Sequence, residues 1–323
     1  MTSPLEIDLP TVPAPAGPIA IVGAGSIGTA FAVVFALAGR AVRLFDETAA
    51  ALAAADVRAR QILAELRSAG LSDTDPDEAM SRIRCAGSLE DTLEGAVYVQ
   101  ECAPENLPLK IELFARLDRL APSEAVLASS SSALTTSQFA ASLPGARRCL
   151  VVHPGNPPYL LRVVEIVPAP FTETGVIAAT AALAREGGLQ PILVRRELTG
   201  FVFNRLQGAV LREAYCLVRD GVASVEDIDR LMHDGLGLRW AVIGPFETVD
   251  LNTRGGIVAH AQKLGPAYAR MGAERGQHDP WIPDLVDEVA RQRRRILPLS
   301  DWAARVQWRD NALMALLRAK HDL

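Results

Sequence analysis

IAIVGAGSIGTAFAVVFALAGRAVRLFD, residues 19–46, is the stretch whose reading decides the fold. Four apolar residues, Ile19 to Val22, run straight into Gly23-x-Gly25-x-x-Gly28, with Ser26 and Ile27 between the last two glycines. In a strand–turn–helix setting the three glycines play different parts. Gly23 allows the tight turn, Gly25 lets a pyrophosphate come close to the backbone, and Gly28 lets the helix pack on the strand. The helix that follows begins with free N–H groups and the positive end of its dipole, a natural seat for phosphate. Gly39 ends that helix, AVRLF forms a second strand, and Asp46 closes it. An acid there accepts hydrogen bonds from both ribose hydroxyls and repels a 2′-phosphate, so the expected cofactor is NAD, preferred over NADP. FAD fits the same glycines, and the rest of the chain has to exclude it.

A chain of 323 residues accommodates two domains with cores of their own. Its 49% hydrophobic and 22% charged content are those of a globular protein. A net charge of −5 gives no general attraction for nucleic acid or an anionic membrane. Arg293-Arg294-Arg295 reads as one exposed helix face. The apolar run at 20–38 is broken by glycines at helix-start spacing and reads as a buried strand and helix, not a membrane span. Cys85, Cys102, Cys149 and Cys216 have no CxxC spacing, which predicts buried thiols in a reducing cytoplasm and no metal site. The leader, residues 1–17, is proline-rich without a basic start and is expected to be disordered, not a signal peptide.

Beyond Asp46, helical stretches alternate with short apolar ones. Helices are predicted up to about Ala69 and at 89–94, 107–120, 137–142 and 174–187; strands are predicted at 83–85, 97–101, 125–129, 149–153, 162–168 and 191–194. Gly70 and the cluster SDTDPDE end the first of these helices. The alternation predicts an α/β class, a Rossmann-like doubly wound and mainly parallel sheet. From Thr199 the strand pattern stops, and helices are expected at 199–219, 224–235, 246–252, 255–273, 283–295 and 299–320. The organisation predicted is therefore an NAD-binding domain over 18–197 and an all-helical domain for substrate and dimerisation over 198–323.

In such sheets the chemistry lies at the carboxyl ends of the strands. Three stretches fall there. In QECAPENLPLK (100–110), Glu105 and Lys110 either reach the cofactor or are solvated helix residues. Ser129 to Ser132 either cap a loop or sit where a substrate oxygen lies. In HPGNPPYLLRVVEI (153–166), His153 ends a strand and Glu165 lies inside the next apolar one. A carboxylate among Val and Ile needs a partner, and histidine is the natural one: a general base with the acid that orients it.

Taken together, GAGSIG…FD, ECAPENLPLK, SSSSAL, HPGNPPYLLRVVEIVPAP and GFVFNRLQGAVLREAYCLVRDGVAS resemble the 3-hydroxyacyl-CoA dehydrogenase family in order and spacing, from residue 18 to about 255. Within it, SSSSAL, HPGNPPY and GLGLRWAVIGPFETVDLN look most like the lambda-crystallin and L-gulonate 3-dehydrogenase branch, to which carnitine dehydrogenases are related. The resemblance implies that His153 is the catalytic base, Glu165 its partner, Ser132 the contact to the substrate oxygen with Ser130 nearby, and Asn156 and Asn204 the active-site asparagines. It also implies that Asp46, Glu105 and Lys110 bind NAD, alongside the glycine turn. Two positions depart from the branch: Arg162 stands for its usual proline and Gly155 for its usual valine.

The function expected on this basis is NAD-dependent oxidation of the 3-hydroxyl of a small free hydroxy acid. The alternatives are a 3-hydroxyacyl-CoA or carnitine dehydrogenase, and a crystallin-like protein that holds NAD without turnover. A free-acid substrate needs a cation, and Arg239 in GLGLRWAVIGPFE, read as a glycine-bounded turn, is the candidate ahead of Arg162 and Arg205. The long apolar stripe of 201–218 predicts a homodimer through the helical domain.

Overall fold

A computed structural model describes residues 10–277, 282–305, 308 and 319. Residues 1–9 of the expected disordered leader lie outside the described residues, as does most of the helix expected after 305. By contacts the chain divides into two units, Met1–Val210 and Leu211–Leu323.

The first unit is built on one eight-stranded sheet. Its strands are β1 (Ile19–Val22), β2 (Val42–Phe45), β3 (Ile83–Cys85), β4 (Tyr98–Glu101), β5 (Val126–Ser129), β6 (Cys149–Pro154), β7 (Val163–Pro168) and β8 (Gln190–Leu193). They lie in the order β3-β2-β1-β4-β5-β6-β7-β8. The first six are parallel; β7 runs antiparallel to β6, and β8 runs parallel to β7. The order reverses between β1 and β4, the switch point where sheets of this kind bind dinucleotides. Pro191 has no N–H for a ladder, and β8, which carries it, is accordingly an edge strand.

Helices cover both faces. They are α1 (Ser26–Leu37), α2 (Ala49–Ser68), α3 (Pro76–Ser81), α4 (Leu89–Leu93), α5 (Leu107–Leu120), α6 (Thr136–Ala140) and α7 (Thr174–Glu186). One core joins α1, α2 and α7 to one side of the sheet through Phe31, Phe35, Leu63 and Ile177. The other joins α4, α5 and α6 to the opposite side through Leu93, Phe114, Leu117 and Phe139. A central strand such as β1, buried at all four positions, reads as a continuous apolar run for this reason. The helix expected up to about Ala69 ends at Ser68, and the last three residues of the cluster SDTDPDE, Pro76 to Glu78, open a further helix that the sequence reading does not include. Asp75 caps α3 by accepting from the N–H groups of Asp77 and Glu78, and Pro76 fills the first helical position, where its missing N–H costs nothing. Of the four free cysteines only Cys149 is buried, and Cys85 is exposed, so the expectation of four buried thiols is corrected.

Helix α8 (Phe203–Arg219) carries the chain across the boundary between the units. Its entry belongs to the sheet unit because the N–H groups of Val202 and Phe203 are bonded to Glu165 of β7.

The second unit is helical: α9 (Val225–Arg230), a π turn at Leu231–Leu236, α10 (Gly237–Trp240), α11 (Pro245–Asn252), α12 (Gly256–Glu274) and α13 (Pro283–Ile296). Ile243, Leu251 and Leu297 form its small core. Buried Asp250 accepts from the N–H of Ile257 and pairs with Arg294. The turn expected around Arg239 is corrected here. The backbone stays helical through Gly235 and Gly237, and Gly237 bonds to the carbonyl of Met232. A Cβ on Gly237 would lie 2.6 Å from that oxygen, so glycine is what admits the extra residue of the π turn.

Among the described residues, no helix is long and apolar enough to cross a membrane.

Candidate active site

The carboxyl ends of β1, β2, β4, β5 and β6 all lie along one edge of the sheet because those strands are parallel neighbours. Along this edge the glycine turn comes first. Gly23 adopts φ +106°, where a side chain is strained, and a Cβ on Gly28 would fall 1.8 Å from the Gly23 carbonyl oxygen. A Cβ on Gly25 would meet nothing within 4 Å, so open space lies above the start of α1, and no side chain caps that helix. Ser26 is exposed in this first turn, while Ile27 leans on the core. Uncapped N–H groups facing open space fit a pyrophosphate. Asp46 stands beside them, its Oδ2 accepting from the Ala24 N–H at 2.9 Å and its Oδ1 from the Thr48 N–H at 3.0 Å. The acid is thereby fixed to the glycine turn, where a ribose would follow the phosphates.

The second group comes from β4 and β5. Both oxygens of Glu105 are engaged by the turn after β5: the Ser131 hydroxyl donates to it at 2.5 Å, and the N–H groups of Ser132, Ala133 and Leu134 at 3.0 to 3.3 Å. Burial works against the Glu105 charge, but the Ser131 hydroxyl and those three N–H groups outweigh it and hold the carboxyl below its ordinary range. Lys110 is neither solvated nor at the surface. It is wholly buried and paired with Glu101. Ser130 is half-buried and donates its N–H to the Glu101 carbonyl, and Ser132 is exposed at the tip.

The third group is the histidine. His153 and Glu165 are register partners on antiparallel strands, so their side chains leave the same face of the sheet. Nδ1 of His153 lies 2.8 Å from Oε2 of Glu165, and the residues are 7% and 4% exposed. The other oxygen, Oε1, accepts from the N–H groups of Val202 and Phe203 at 2.7 and 2.9 Å. Burial pushes the Glu165 carboxyl up, but the His153 bond and these two N–H groups pull it further down, below its ordinary value. An ionised Glu165 keeps the proton of neutral imidazole on Nδ1 and leaves Nε2 as the base. Phe201 and Phe203 wall the imidazole, their rings 5.5 and 6.3 Å from it.

The family motif points to Asn204 but not to the three residues before it. The signal was Gly200 followed by an apolar triplet: Gly200 at φ +77° and Phe201 at φ +48° turn the chain so that two N–H groups face the acid.

Asn204 and Ser132 come together, Nδ2 donating to the Ser132 carbonyl at 3.2 Å. Asn156 is exposed on the loop after His153, next to a cis bond to Pro157. Gly155 is explained by space, since a Cβ there would lie 2.9 Å from both Cβ and the carbonyl oxygen of Leu161. Arg162 lines a separate cavity of about 220 Å³ with Val34, Tyr159 and Thr74, and none of the dyad residues lines it. Arg205 is exposed. Arg239, in α10 of the second unit, is half-buried in the last turn of its helix.

Two family models account for nearly the whole chain: "3-hydroxyacyl-CoA dehydrogenase, NAD binding domain" over residues 18–198 and "3-hydroxyacyl-CoA dehydrogenase, C-terminal domain" over residues 200–295. The chain belongs to the 3-hydroxyacyl-CoA dehydrogenase family. Within the family it is 40% identical to a lambda-crystallin homolog of Bos taurus over 95% of this chain and 97% of that one. It is 34% identical to an L-carnitine dehydrogenase of Pseudomonas aeruginosa over 93% of this chain and 92% of that one. Among solved structures, a (S)-3-hydroxybutyryl-CoA dehydrogenase from Ralstonia eutropha matches with a TM-score of 0.64 and 30% identity, over 78% of this chain and 88% of that one. The cofactor of this family's first domain is NAD, in agreement with the open glycine turn and Asp46, and the FAD reading of the glycines falls away.

Proposed function

We propose that this chain oxidises the 3-hydroxyl of a small free hydroxy acid, an L-gulonate-like substrate, to the 3-keto acid. The single observation that carries the proposal is the His153–Glu165 pair, 2.8 Å apart, buried, and held by two backbone N–H groups. NAD, when bound, supplies the hydride acceptor. Nε2 of His153 takes the hydroxyl proton as the C–H bond on the same carbon gives up its hydride and the C=O bond forms. Glu165 stabilises the imidazolium that results. Ser132 meets the substrate oxygen, and Asn204 bonds to the Ser132 carbonyl and so ties that serine to the start of α8. Asn156, exposed beside His153, is assigned to the same oxygen or its neighbour.

Likeness to an L-carnitine dehydrogenase supports a free acid, since carnitine is itself a 3-hydroxy carboxylate. A second reading, a CoA thioester, is favoured by likeness to a 3-hydroxybutyryl-CoA dehydrogenase. A third, NAD held without turnover, draws on the lambda-crystallin homologs, against which stands the complete dyad. A panel of L-gulonate, carnitine, 3-hydroxybutyrate and a 3-hydroxyacyl-CoA, each with NAD and with NADP, separates the three by NADH absorbance. Turnover of a free acid with NAD is the expected result; turnover of the thioester alone, or of nothing, overturns it.

A further inference from the structure

Ala24, between the first two glycines of the turn, is held at both of its backbone groups. On one side Asp46, the residue after β2, accepts its N–H at 2.9 Å. On the other, its carbonyl oxygen lies 3.3 Å from the hydroxyl of Thr29 and 3.5 Å from Nη1 of Arg58. Thr29, in α1, is 0% exposed. Its hydroxyl has a single hydrogen to give, and the carbonyl of Gly25 is the nearer acceptor at 2.8 Å. With that hydrogen engaged, Arg58 supplies the donor for Ala24, and the same Nη1 donates to Thr29 Oγ at 3.1 Å. Arg58 comes from the middle of α2, so the second helix braces the turn from which the first one starts.

The charge of Arg58 has no counter-ion in the protein. Arg60 and Arg67 of the same helix pair with Asp56 and Asp73. Arg58 is half-buried, and among the described residues no carboxylate pairs with it. Asp46, across the turn, has its oxygens engaged by the N–H groups of Ala24 and Thr48. A cation drawn partly out of water and left unpaired is costly unless an anion comes near it. The turn it braces faces open space at Gly25 and leads into the uncapped start of α1, where a dinucleotide brings the negative charges of its pyrophosphate.

We propose that Arg58 is a cofactor-positioning residue: with Thr29 it fixes the carbonyl side of the glycine turn, and its unpaired charge favours the pyrophosphate of NAD at the start of α1. It acts through the backbone of Ala24 and through its field. The assignment holds whichever hydroxy acid is the substrate.

The test uses the full chain with Arg58→Met, which removes donors and charge, and Arg58→Lys, which keeps the charge. Thermal melts check that each is folded, and fluorescence titration gives the NADH Kd from low to high ionic strength. Arg58→Met is expected to raise Kd by ~10-fold at low salt, the size of a lost hydrogen bond to a charged group. The gap from the wild type narrows as salt screens the field that the variant lacks. Arg58→Lys recovers most of the affinity at low salt. Where Arg58→Met does not fold, Arg58→Gln, which keeps an N–H donor and loses the charge, takes its place, and the same narrowing of the gap is expected. An unchanged NADH Kd at low salt overturns the proposal. So does a loss that is equal at every salt concentration and is not recovered by Arg58→Lys, because Arg58 is then only a packing contact between α1 and α2.

Discussion

Glu165 is bonded on both oxygens, by Nδ1 of His153 on one and by the N–H groups of Val202 and Phe203 on the other. The imidazole is thus tied through one carboxylate to the entry of α8, the same segment that carries Asn204. Substituting His153 by Ala is expected to lower kcat by ~10²–10⁴-fold while NADH binding persists, because a positioned general base contributes about that much. Glu165→Gln loses less, since the amide oxygen still accepts from Nδ1. Steady-state kinetics with a parallel NADH titration check both; an undiminished His153→Ala enzyme removes the mechanism.

The same bonds make stability depend on pH. The native Glu165 carboxyl lies below its ordinary value of 4.5, so its contribution is fully present above that value and is lost as pH falls through the lower native one. Glu165→Gln has no such proton to take up. Thermal melts from neutral to acid pH are therefore expected to show wild type and Glu165→Gln converging below pH 4.5. A gap that stays constant through that window contradicts the assignment.

Asp46, fixed to the Ala24 N–H, presents negative charge where a 2′-phosphate would lie. Wild-type protein is expected to prefer NAD. Asp46→Ala, or Asp46→Ala with an arginine introduced nearby, moves the kcat/KM ratio toward NADP. Equal use of both dinucleotides by the wild type would falsify this reading of Asp46.

Along α8 and just beyond it, Leu206 and Tyr215 are 60% and 75% exposed, and Val202, Leu211, Val218 and Val222 are exposed as well. An apolar stripe of that length is suited to pack against another protein, and we propose that it does so against a second copy of this chain. Sedimentation is expected to give a homodimer, and Leu206→Glu or Tyr215→Glu a monomer. A monomeric wild type refutes the proposal.

For the carboxylate of a free-acid substrate we propose Arg239, whose guanidinium offers two parallel donors. Arg239→Met is expected to raise KM for the acid strongly and leave NADH affinity as it was. If the kinetics do not change, the cation lies elsewhere. Arg162, in its separate cavity, is then a poor successor, and a backbone nest becomes the better one.

Much of this molecule is legible before any coordinates. The strand–glycine–helix unit, the alternation up to Val194 and the change to helices after Thr199 all follow from periodicity and turn chemistry, which act over a few neighbouring residues. The candidacy of His153 and Glu165 as a pair is also legible, because a carboxylate inside an apolar strand demands a partner and few are within reach. The errors were local ones too: α3 hides in a loop-like composition, and Gly235 and Gly237 open a π turn where they suggested an end to the helix. Tertiary structure alone decided that His153 and Glu165 meet at one register position, that residues 202 and 203 supply the clamp, and that Lys110 is buried on Glu101. The first depends on strand register, the second on segments 37 and 38 residues apart, and the third on the packing of α5 against the end of β4. No local preference encodes such pairings; they exist only once the sheet has closed and water has been driven from between its loops.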